Sequence, residues 1–124
     1  MKILFVEDTD SWVEEFLPQL QTLGEVCHFK GSNAARRSLD EIEYDLVVCD
    51  HNILRFENEK TIAYGTEIYK ELRWMDKQIP FIHFSYGPCP EEYRVEKDSN
   101  FYVLKKDNGV NILNFIQKIM ELNK

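Results

Sequence analysis

The chain has 124 residues, of which 44% are hydrophobic and 30% are charged, so we expect residues 1–124 to form a single globular domain. A chain of this length can bury a full core without disulfides, and three cysteines with no CxxC pair favour a reducing, cytoplasmic environment. The net charge of −7 argues against direct binding to nucleic acid, and an N-terminal apolar run of four residues is too short for a signal peptide or a membrane span.

The N-terminal half alternates short apolar runs with helical patterns. Strands are predicted at Ile3–Val6, Val26–Phe29 and Leu46–Cys49, a first helix from Asp10 or Ser11 to Gly24, and a second from a Ser32 cap to Ile42. Most of the strand runs are continuously apolar rather than alternating. That pattern is typical of parallel strands that are covered on both faces.

The C-terminal half continues the same alternation. Strands are predicted at Phe81–Phe84 and Phe101–Leu104, and helices from Thr66 to Met75, from about Glu91, and along the apolar stripe between Val110 and Met120. Gly87, Pro88 and Pro90 delay the helix near Glu91, so we expect that helix to be short. The stretch between Leu54 and Tyr64 is left as a long loop, which the sequence allows to be a partner-reading element, a lid or a tolerated insertion.

This order of elements predicts an α/β fold with a doubly wound, five-stranded parallel sheet and helices on both faces. In such folds the functional site lies beyond the carboxyl ends of the strands. Glu7-Asp8, Asp50, Ser85 and Lys105 each follow the end of a different apolar run. We therefore expect these side chains to converge at one edge of the sheet.

Clustered carboxylates at that edge suit a hard cation. Mg²⁺ prefers oxygen ligands and keeps several waters, so Asp8 and Asp50 are predicted as direct ligands and Glu7 as a ligand through water. The backbone carbonyl of Asn52, two residues beyond Asp50, could complete the set.

The same cluster suits phosphoryl transfer. A carboxylate such as that of Asp50 can attack phosphorus and form an acyl phosphate. The ammonium of Lys105 and the hydroxyl of Ser85 would then stabilise charge on the phosphoryl oxygens. Each residue type in the predicted cluster thus has a chemical task.

The ordered motifs VED, LVVCD, FIHFS and FYVLKK, at the ends of the first, third, fourth and fifth strands, resemble the CheY-like receiver domain of bacterial response regulators. The resemblance covers essentially the whole chain. It implies a flavodoxin-like (βα)5 fold with strand order 2-1-3-4-5. It also implies that Asp50 is the phosphoacceptor, that Glu7 and Asp8 belong to the metal site, and that Ser85 and Lys105 contact the phosphoryl group.

The resemblance further implies how such a domain is used. Phosphate would come from a histidine kinase or a phosphotransfer protein, and Tyr102 would be the aromatic switch residue that responds to it. A face formed by the fourth and fifth predicted helices and the fifth strand would then bind a downstream protein partner, or a second copy as a homodimer. The domain itself would be a signalling phosphoacceptor rather than an enzyme with a separate substrate.

Three positions depart from the family pattern. Leu54 and Lys106 stand where prolines are common, and Tyr86 replaces a small residue beside Ser85, where its bulk is expected to slow hydrolysis of an acyl phosphate. Lys106 is interpreted as a surface residue. These departures leave open a phosphorylation-independent pseudo-receiver that serves as a protein-interaction module.

Two further alternatives depend on residues beside Asp50. A Mg²⁺-dependent phosphohydrolase usually needs an acid/base carboxylate two residues beyond the nucleophile, and Asn52 at that position argues against it. His51 raises the alternative of a transition-metal ligand, but no second histidine has a suitable spacing. His28 and His83 are interpreted as packed strand residues.

Overall fold

The computed structural model describes residues 1–56, 62–86, 99–107 and 109–122, with only the backbone described at Ile62. In these ranges the strands are β1 (Lys2–Val6), β2 (Glu25–Phe29), β3 (Leu46–Cys49), β4 (Asn52–Leu54), β5 (Ile62–Tyr64), β6 (Phe81–Ser85) and β7 (Phe101–Lys105). The helices are α1 (Asp10–Gln21), α2 (Ser32–Ser38), α3 (Gly65–Trp74) and α4 (Ile112–Leu122). Each of the five predicted strands is confirmed to within one residue at either end. The helix predicted from about Glu91 lies outside the described residues.

Five strands form one parallel sheet in the order β2-β1-β3-β6-β7. This arrangement confirms the predicted doubly wound fold and the predicted strand order. The register pairs Val6 with both Phe29 and Cys49, and pairs Ser85 with Lys105. The carboxyl ends of the parallel strands therefore meet at the same edge of the sheet.

The two faces of the sheet bury separate hydrophobic clusters, because successive side chains of a strand point to opposite faces. One face, with Leu4, Val6, Val47 and Cys49, packs against α2 and α3. The other face, with Ile3, Phe5, Leu46, Val48, Ile82 and Phe84, packs against α1 and α4. We call them the α2/α3 face and the α1/α4 face. The nearly complete burial of these apolar runs explains why their sequences do not alternate.

Two helix starts differ slightly from the sequence prediction. Thr9 is the N-cap of α1 and Asp10 is its first helical residue. Gly31 is the N-cap of α2, so Ser32 is not the cap, and the helix ends at Ser38 rather than at Ile42. Within the described ranges, none of the helices has the length and apolar character needed to cross a bilayer.

Part of the stretch between Leu54 and Tyr64, which the sequence predicts as a long loop, belongs to a β-hairpin. β4 and β5 pair antiparallel, with Asn52 opposite Tyr64. Leu54 also forms a parallel bridge with Gly31, and the Asn33 N–H donates to the Arg55 carbonyl at 3.1 Å. The hairpin is thus attached to the start of α2, next to the carboxyl edge of the sheet. Residues 57–61 lie outside the described ranges.

Candidate functional site

Three backbone hydrogen bonds carry the sheet one residue beyond its strands. The Glu7 N–H donates to the Phe29 carbonyl at 3.1 Å, and the Asp50 N–H donates to the Val6 carbonyl at 3.0 Å. The Lys106 N–H donates to the Ser85 carbonyl at 2.8 Å. These bonds fix the backbone of Glu7, Asp50 and Lys106 at the carboxyl edge.

The side chains of these three residues share one face of the sheet. Each stands two positions after a strand residue that packs on the α1/α4 face, namely Phe5, Val48 and Leu104. Since side-chain direction repeats every second residue, Glu7, Asp50 and Lys106 continue the rows of that face. Three side chains distant in sequence are therefore aimed at the same volume.

The carboxylates of Glu7, Asp8 and Asp50 form one cluster. Their oxygen atoms lie within 4.8 Å of one another, and in the described part of the chain no other group of three or more histidine, cysteine or acidic side chains is arranged to hold a metal ion. Glu7 is completely buried, and its Oε2 accepts a hydrogen bond from the Thr9 N–H at 3.3 Å. The sequence prediction of a carboxylate cluster at this edge agrees with this geometry.

The lysine at this cluster is Lys106. Its ammonium pairs with Glu7 Oε1 and lies 3.1 Å from Asp50 Oδ2, and its side chain is only 2% exposed. Lys105, in contrast, is exposed. The prediction that Lys105 supplies the ammonium, and the interpretation of Lys106 as a surface residue, are both wrong. The physical reason is side-chain alternation: Lys105 points to the α2/α3 side of the sheet, whereas Lys106 points to the side that holds Glu7 and Asp50.

The electrostatics of the cluster disfavour three free negative charges. Burial, and then the neighbouring Asp50, raise the pKa of Glu7 to about 8, although Lys106 acts in the opposite direction. Burial and Asp50 also raise the pKa of Asp8. A divalent cation would favour the ionised forms. The all-oxygen donor set fits Mg²⁺, and Glu7, Asp8 and Asp50 are the residues that would hold it.

The backbone of Asn52 is consistent with its predicted role as a carbonyl ligand. The Gly65 N–H donates to the His51 carbonyl at 2.7 Å, which makes Asn52 and Tyr64 a non-hydrogen-bonded pair of the hairpin. The Asn52 carbonyl is therefore not used by the β4–β5 ladder. Its role as a ligand stays a prediction.

Asp50 is held in place from two sides. Its Oδ1 accepts the N–H of His51 at 2.7 Å, while its Oδ2 faces Lys106. Behind it, the start of α3 approaches so closely that a Cβ on Gly65 would stand 2.1 Å from the Asp50 carbonyl oxygen and 2.9 Å from Cys49 Sγ. Only glycine fits there, and sequence reasoning missed this residue. The signal available was a glycine directly before a predicted helix.

Ser85 and Tyr102 lie on opposite faces of the sheet. Ser85 is buried at the end of β6, one residue after Phe84, so its side chain belongs to the α2/α3 face. Tyr102 packs on the α1/α4 face, where its ring meets that of Phe115 edge to face, with centroids 6.4 Å apart. The predicted contact of Ser85 with a phosphoryl group and the predicted switch role of Tyr102 stay predictions. A direct contact between these two side chains does not fit this arrangement.

A pair of histidine rings lies next to Tyr64 of the hairpin. The ring centroids of His51 and His83 are 5.3 Å apart, and the ring of Tyr64 stacks on His51 at 5.1 Å. His83 is buried, and in the described structure neither of its ring nitrogens has a hydrogen-bond partner. Burial, and then His51, lower the pKa of His83 to about 4, so it is a neutral packed residue at neutral pH. The interpretation of His83 as a packed strand residue agrees with this.

No protein-family model and no curated protein matches the sequence. Solved structures do match, and most of them are CheY-like receiver domains. A CheY-like response regulator receiver domain from Methylobacillus flagellatus has 22% identity and a TM-score of 0.72, with 98% of this chain and 97% of that chain covered. A receiver protein from Sinorhizobium medicae has 21% identity and a TM-score of 0.74, with 98% and 93% covered.

A third similar structure contains a bound ligand. It is the Thermotoga maritima response regulator TrrA in complex with Mg²⁺-BeF, with 24% identity, a TM-score of 0.69, and 95% of this chain and 97% of that chain covered. At these identities the comparison establishes the fold. The chain has the CheY-like receiver fold over nearly its whole length, as the sequence motifs predicted.

Proposed function

We propose that the protein is a response-regulator receiver that accepts a phosphoryl group on Asp50 in a Mg²⁺-dependent reaction. The donor is a histidine kinase or a phosphotransfer protein of a cytoplasmic two-component pathway. The phosphorylated form then changes its affinity for a downstream protein partner. Phosphate can do so only by stabilising one of two conformations more than the other.

Asp50 and Lys106 are the reacting pair in this proposal. An Asp50 oxygen attacks the phosphorus of the donor, and the donor's bond to phosphorus breaks as the acyl phosphate forms. The Lys106 ammonium, 3.1 Å from Asp50 Oδ2, stabilises the negative charge on the transferred group. The hydroxyl of Ser85, at the adjacent strand end, is assigned a hydrogen bond to a phosphoryl oxygen.

Glu7, Asp8, Asp50 and the Asn52 carbonyl are assigned to the Mg²⁺ site. When bound, Mg²⁺ supplies Lewis-acid stabilisation of phosphoryl oxygens. The bound Mg²⁺-BeF in the similar T. maritima structure supports this assignment. Bound Mg²⁺ would favour the ionised forms of Glu7 and Asp8, whose pKa values are raised by burial and by Asp50 when no cation is present.

One observation carries the proposal. A buried ammonium, that of Lys106, bridges Glu7 and Asp50 at the carboxyl edge of a receiver-like sheet, beside the third carboxylate of Asp8. Buried charges cost several kcal/mol in desolvation, so their concentration at one edge is not explained by stability. It is explained by a site that must bind a doubly charged cation and a phosphoryl group.

The test is phosphorylation in vitro. The protein is incubated with Mg²⁺ and a small phosphodonor such as acetyl phosphate, and the intact mass is measured. We expect one phosphoryl adduct, which does not form when Mg²⁺ is chelated before the donor is added and is absent in Asp50→Asn. Asp40→Asn, which removes an exposed carboxylate two residues after the end of α2, is the matched control and should be modified normally.

One observation favours a second candidate. The Lys106 ammonium already satisfies Glu7 and Asp50, so the cluster can persist without a metal. A phosphorylation-independent interaction module would have this property. Absence of an adduct together with absence of Mg²⁺ binding in a calorimetric titration would favour that module over a phosphoacceptor.

A further inference from the structure

Trp12, in the first turn of α1, covers the buried lysine of the site. The Lys106 Nζ lies 5.4 Å from the centroid of the Trp12 ring and 5.5 Å from that of Phe84. Both rings are within the range at which a cation is attracted to an aromatic face. The ammonium therefore has carboxylates on one side and aromatic rings on the other.

The Trp12 ring is itself held by packing. It stacks on Phe16 with centroids 5.7 Å apart, and Phe16 meets Phe84 edge to face at 4.9 Å. Phe16 and Phe84 belong to the buried cluster of the α1/α4 face. Tyr86 lies against the outer side of Trp12 at 6.1 Å and is largely exposed. The indole is thus anchored to the core and stands between Lys106 and the solvent.

We propose that Trp12 is a positioning residue, which fixes the Lys106 ammonium against Asp50 and excludes water from it, and thereby prolongs the life of the acyl phosphate. The longer lifetime of the acyl phosphate rests on the proposed function, but the covering of Lys106 by Trp12 is independent of phosphorylation. Neither the carboxylate cluster nor the family motifs point to Trp12.

The physical argument concerns the loss of the phosphoryl group. In hydrolysis a water oxygen attacks phosphorus, and the bond between phosphorus and the Asp50 oxygen breaks with its electron pair returning to the carboxylate. Both hydrogens of the water leave with inorganic phosphate. An indole over Lys106 excludes water from one side of this volume. Exclusion of water from a site in this way protects a reactive intermediate from hydrolysis.

The first experiment measures the lifetime of the adduct. Wild type, Trp12→Leu and Trp12→Phe are phosphorylated with acetyl phosphate, the donor is removed, and the decay is followed by intact mass. We expect Trp12→Leu to shorten the half-life about three- to tenfold, which corresponds to the free energy of one partly desolvated cation–π contact. Trp12→Phe, which keeps an aromatic face, should recover most of the lifetime.

The matched control is the other tryptophan of the chain. Trp74, on α3, is 87% exposed and distant from the site in the fold, so Trp74→Leu should leave the half-life unchanged. Equal half-lives in wild type and Trp12→Leu would overturn the proposal. So would a Trp12→Phe variant that is as short-lived as Trp12→Leu, since packing alone would then explain the effect.

A second experiment needs no phosphate. Lysines are acetylated under limiting acetic anhydride, and the modification of Lys106 is compared with that of its exposed neighbour Lys105 in the same molecule. We expect the Lys106 to Lys105 ratio to rise several-fold in Trp12→Leu and to stay unchanged in Trp74→Leu. An unchanged acetylation ratio in Trp12→Leu would contradict the covering role. A wild type that forms no phosphoryl adduct with acetyl phosphate would contradict only the proposed phosphoacceptor function.

Discussion

The two edges of the sheet use charged residues in opposite ways. At the amino edge, the Lys2 N–H donates to Asp45 Oδ2 at 2.8 Å, and the Arg73 guanidinium donates to backbone carbonyls of the segments that lead into β6 and β7. Asp45 is exposed and Arg73 is half-buried, and each side chain forms hydrogen bonds with backbone groups. At the carboxyl edge, Glu7 and Lys106 are almost fully buried beside two more carboxylates.

This difference separates stabilising charges from costly ones. Contacts like those of Arg73 contribute to stability, because each satisfies a carbonyl that would otherwise lose a partner. The carboxylates of buried Glu7 and half-buried Asp8 instead have raised pKa values, which means that the fold disfavours their ionised forms. The carboxyl edge is therefore the part of the molecule where function, rather than folding, explains the residues. The four predictions below test this contrast.

The largest effect is expected at the buried lysine. Lys106→Met removes the ammonium that faces Asp50 Oδ2, so we expect the rate of phosphorylation by acetyl phosphate to fall on the order of 100-fold. Lys105→Met, the adjacent control, should stay close to wild type because its side chain is exposed on the other face. The opposite ranking of the two variants would restore the original sequence prediction and refute the assignment of Lys106.

The next effect is the dependence of the unfolding free energy on pH that His83 produces. Its pKa is lowered to about 4 in the folded protein from 6.5, so between these values only the unfolded chain binds the proton. Stability from this residue is therefore present above pH 6.5 and is lost as the pH falls towards 4. The difference in unfolding free energy between wild type and His83→Leu should shift by about 3 kcal/mol over this window, measured by urea unfolding.

Glu7 acts with the opposite sign in the same range. Its pKa is raised from 4.5 to about 8, so its contribution is fully present below pH 4.5 and is lost as the pH rises through about 8. Both wild type and His83→Leu retain this contribution, which is why their difference isolates His83. A difference that does not change with pH would show that the imidazole is not kept neutral by burial.

A smaller effect is expected at Gly65. Gly65→Ala places a Cβ against the Asp50 carbonyl, so the backbone must shift, at a cost of about 2 kcal/mol in stability. We also expect phosphorylation to slow by about tenfold, because Asp50 moves with its peptide. Gly109→Ala is the control: its φ of 83° makes alanine strained, but a Cβ there contacts nothing within 4 Å. It should cost about 1 kcal/mol and leave phosphorylation unchanged.

The smallest effect belongs to the amino edge. Arg73 Nη1 donates to the Lys77 carbonyl at 2.7 Å and to the Ile79 carbonyl at 3.2 Å, and Nη2 donates to the Asn100 carbonyl at 3.4 Å. Lysine cannot reproduce this fork, so Arg73→Lys should lower the unfolding free energy by about 1 kcal/mol. The phosphorylation rate should not change. A large loss of phosphorylation in this variant would remove the contrast between the two edges.

The fold was predictable because its signals are local. The run Leu46–Cys49 is apolar throughout, Phe81–Phe84 is apolar except for His83, and the helical stripe near the C-terminus is wide. Each element can therefore be recognised from a few consecutive residues. The hairpin of β4 and β5 was not predicted. Its strands have three residues each, too few to show a periodic pattern, and their pairing depends on the start of α2.

The choice between two adjacent lysines was the main error at the site. The motif FYVLKK contains both lysines, and the sequence prediction selected Lys105, which directly follows the apolar run. The structure instead places the ammonium of Lys106 at the cluster, while the switch role of Tyr102 stays a prediction. A shift of one residue exchanges the two faces of a strand, so a local motif could not decide which of the two lysines faces Asp50.

The sequence by itself determined that carboxylates, a hydroxyl residue and a lysine follow the ends of parallel strands. Each apolar run and the polar residues after it are adjacent in the chain, so a local pattern is enough to find them. Only the tertiary structure decided that Lys106 is buried between Glu7 and Asp50, that Gly65 must lack a side chain, and that Trp12 covers the ammonium. These features depend on the register between strands and on the packing of α1 and α3. They are set by contacts between residues far apart in the chain, which no local pattern records.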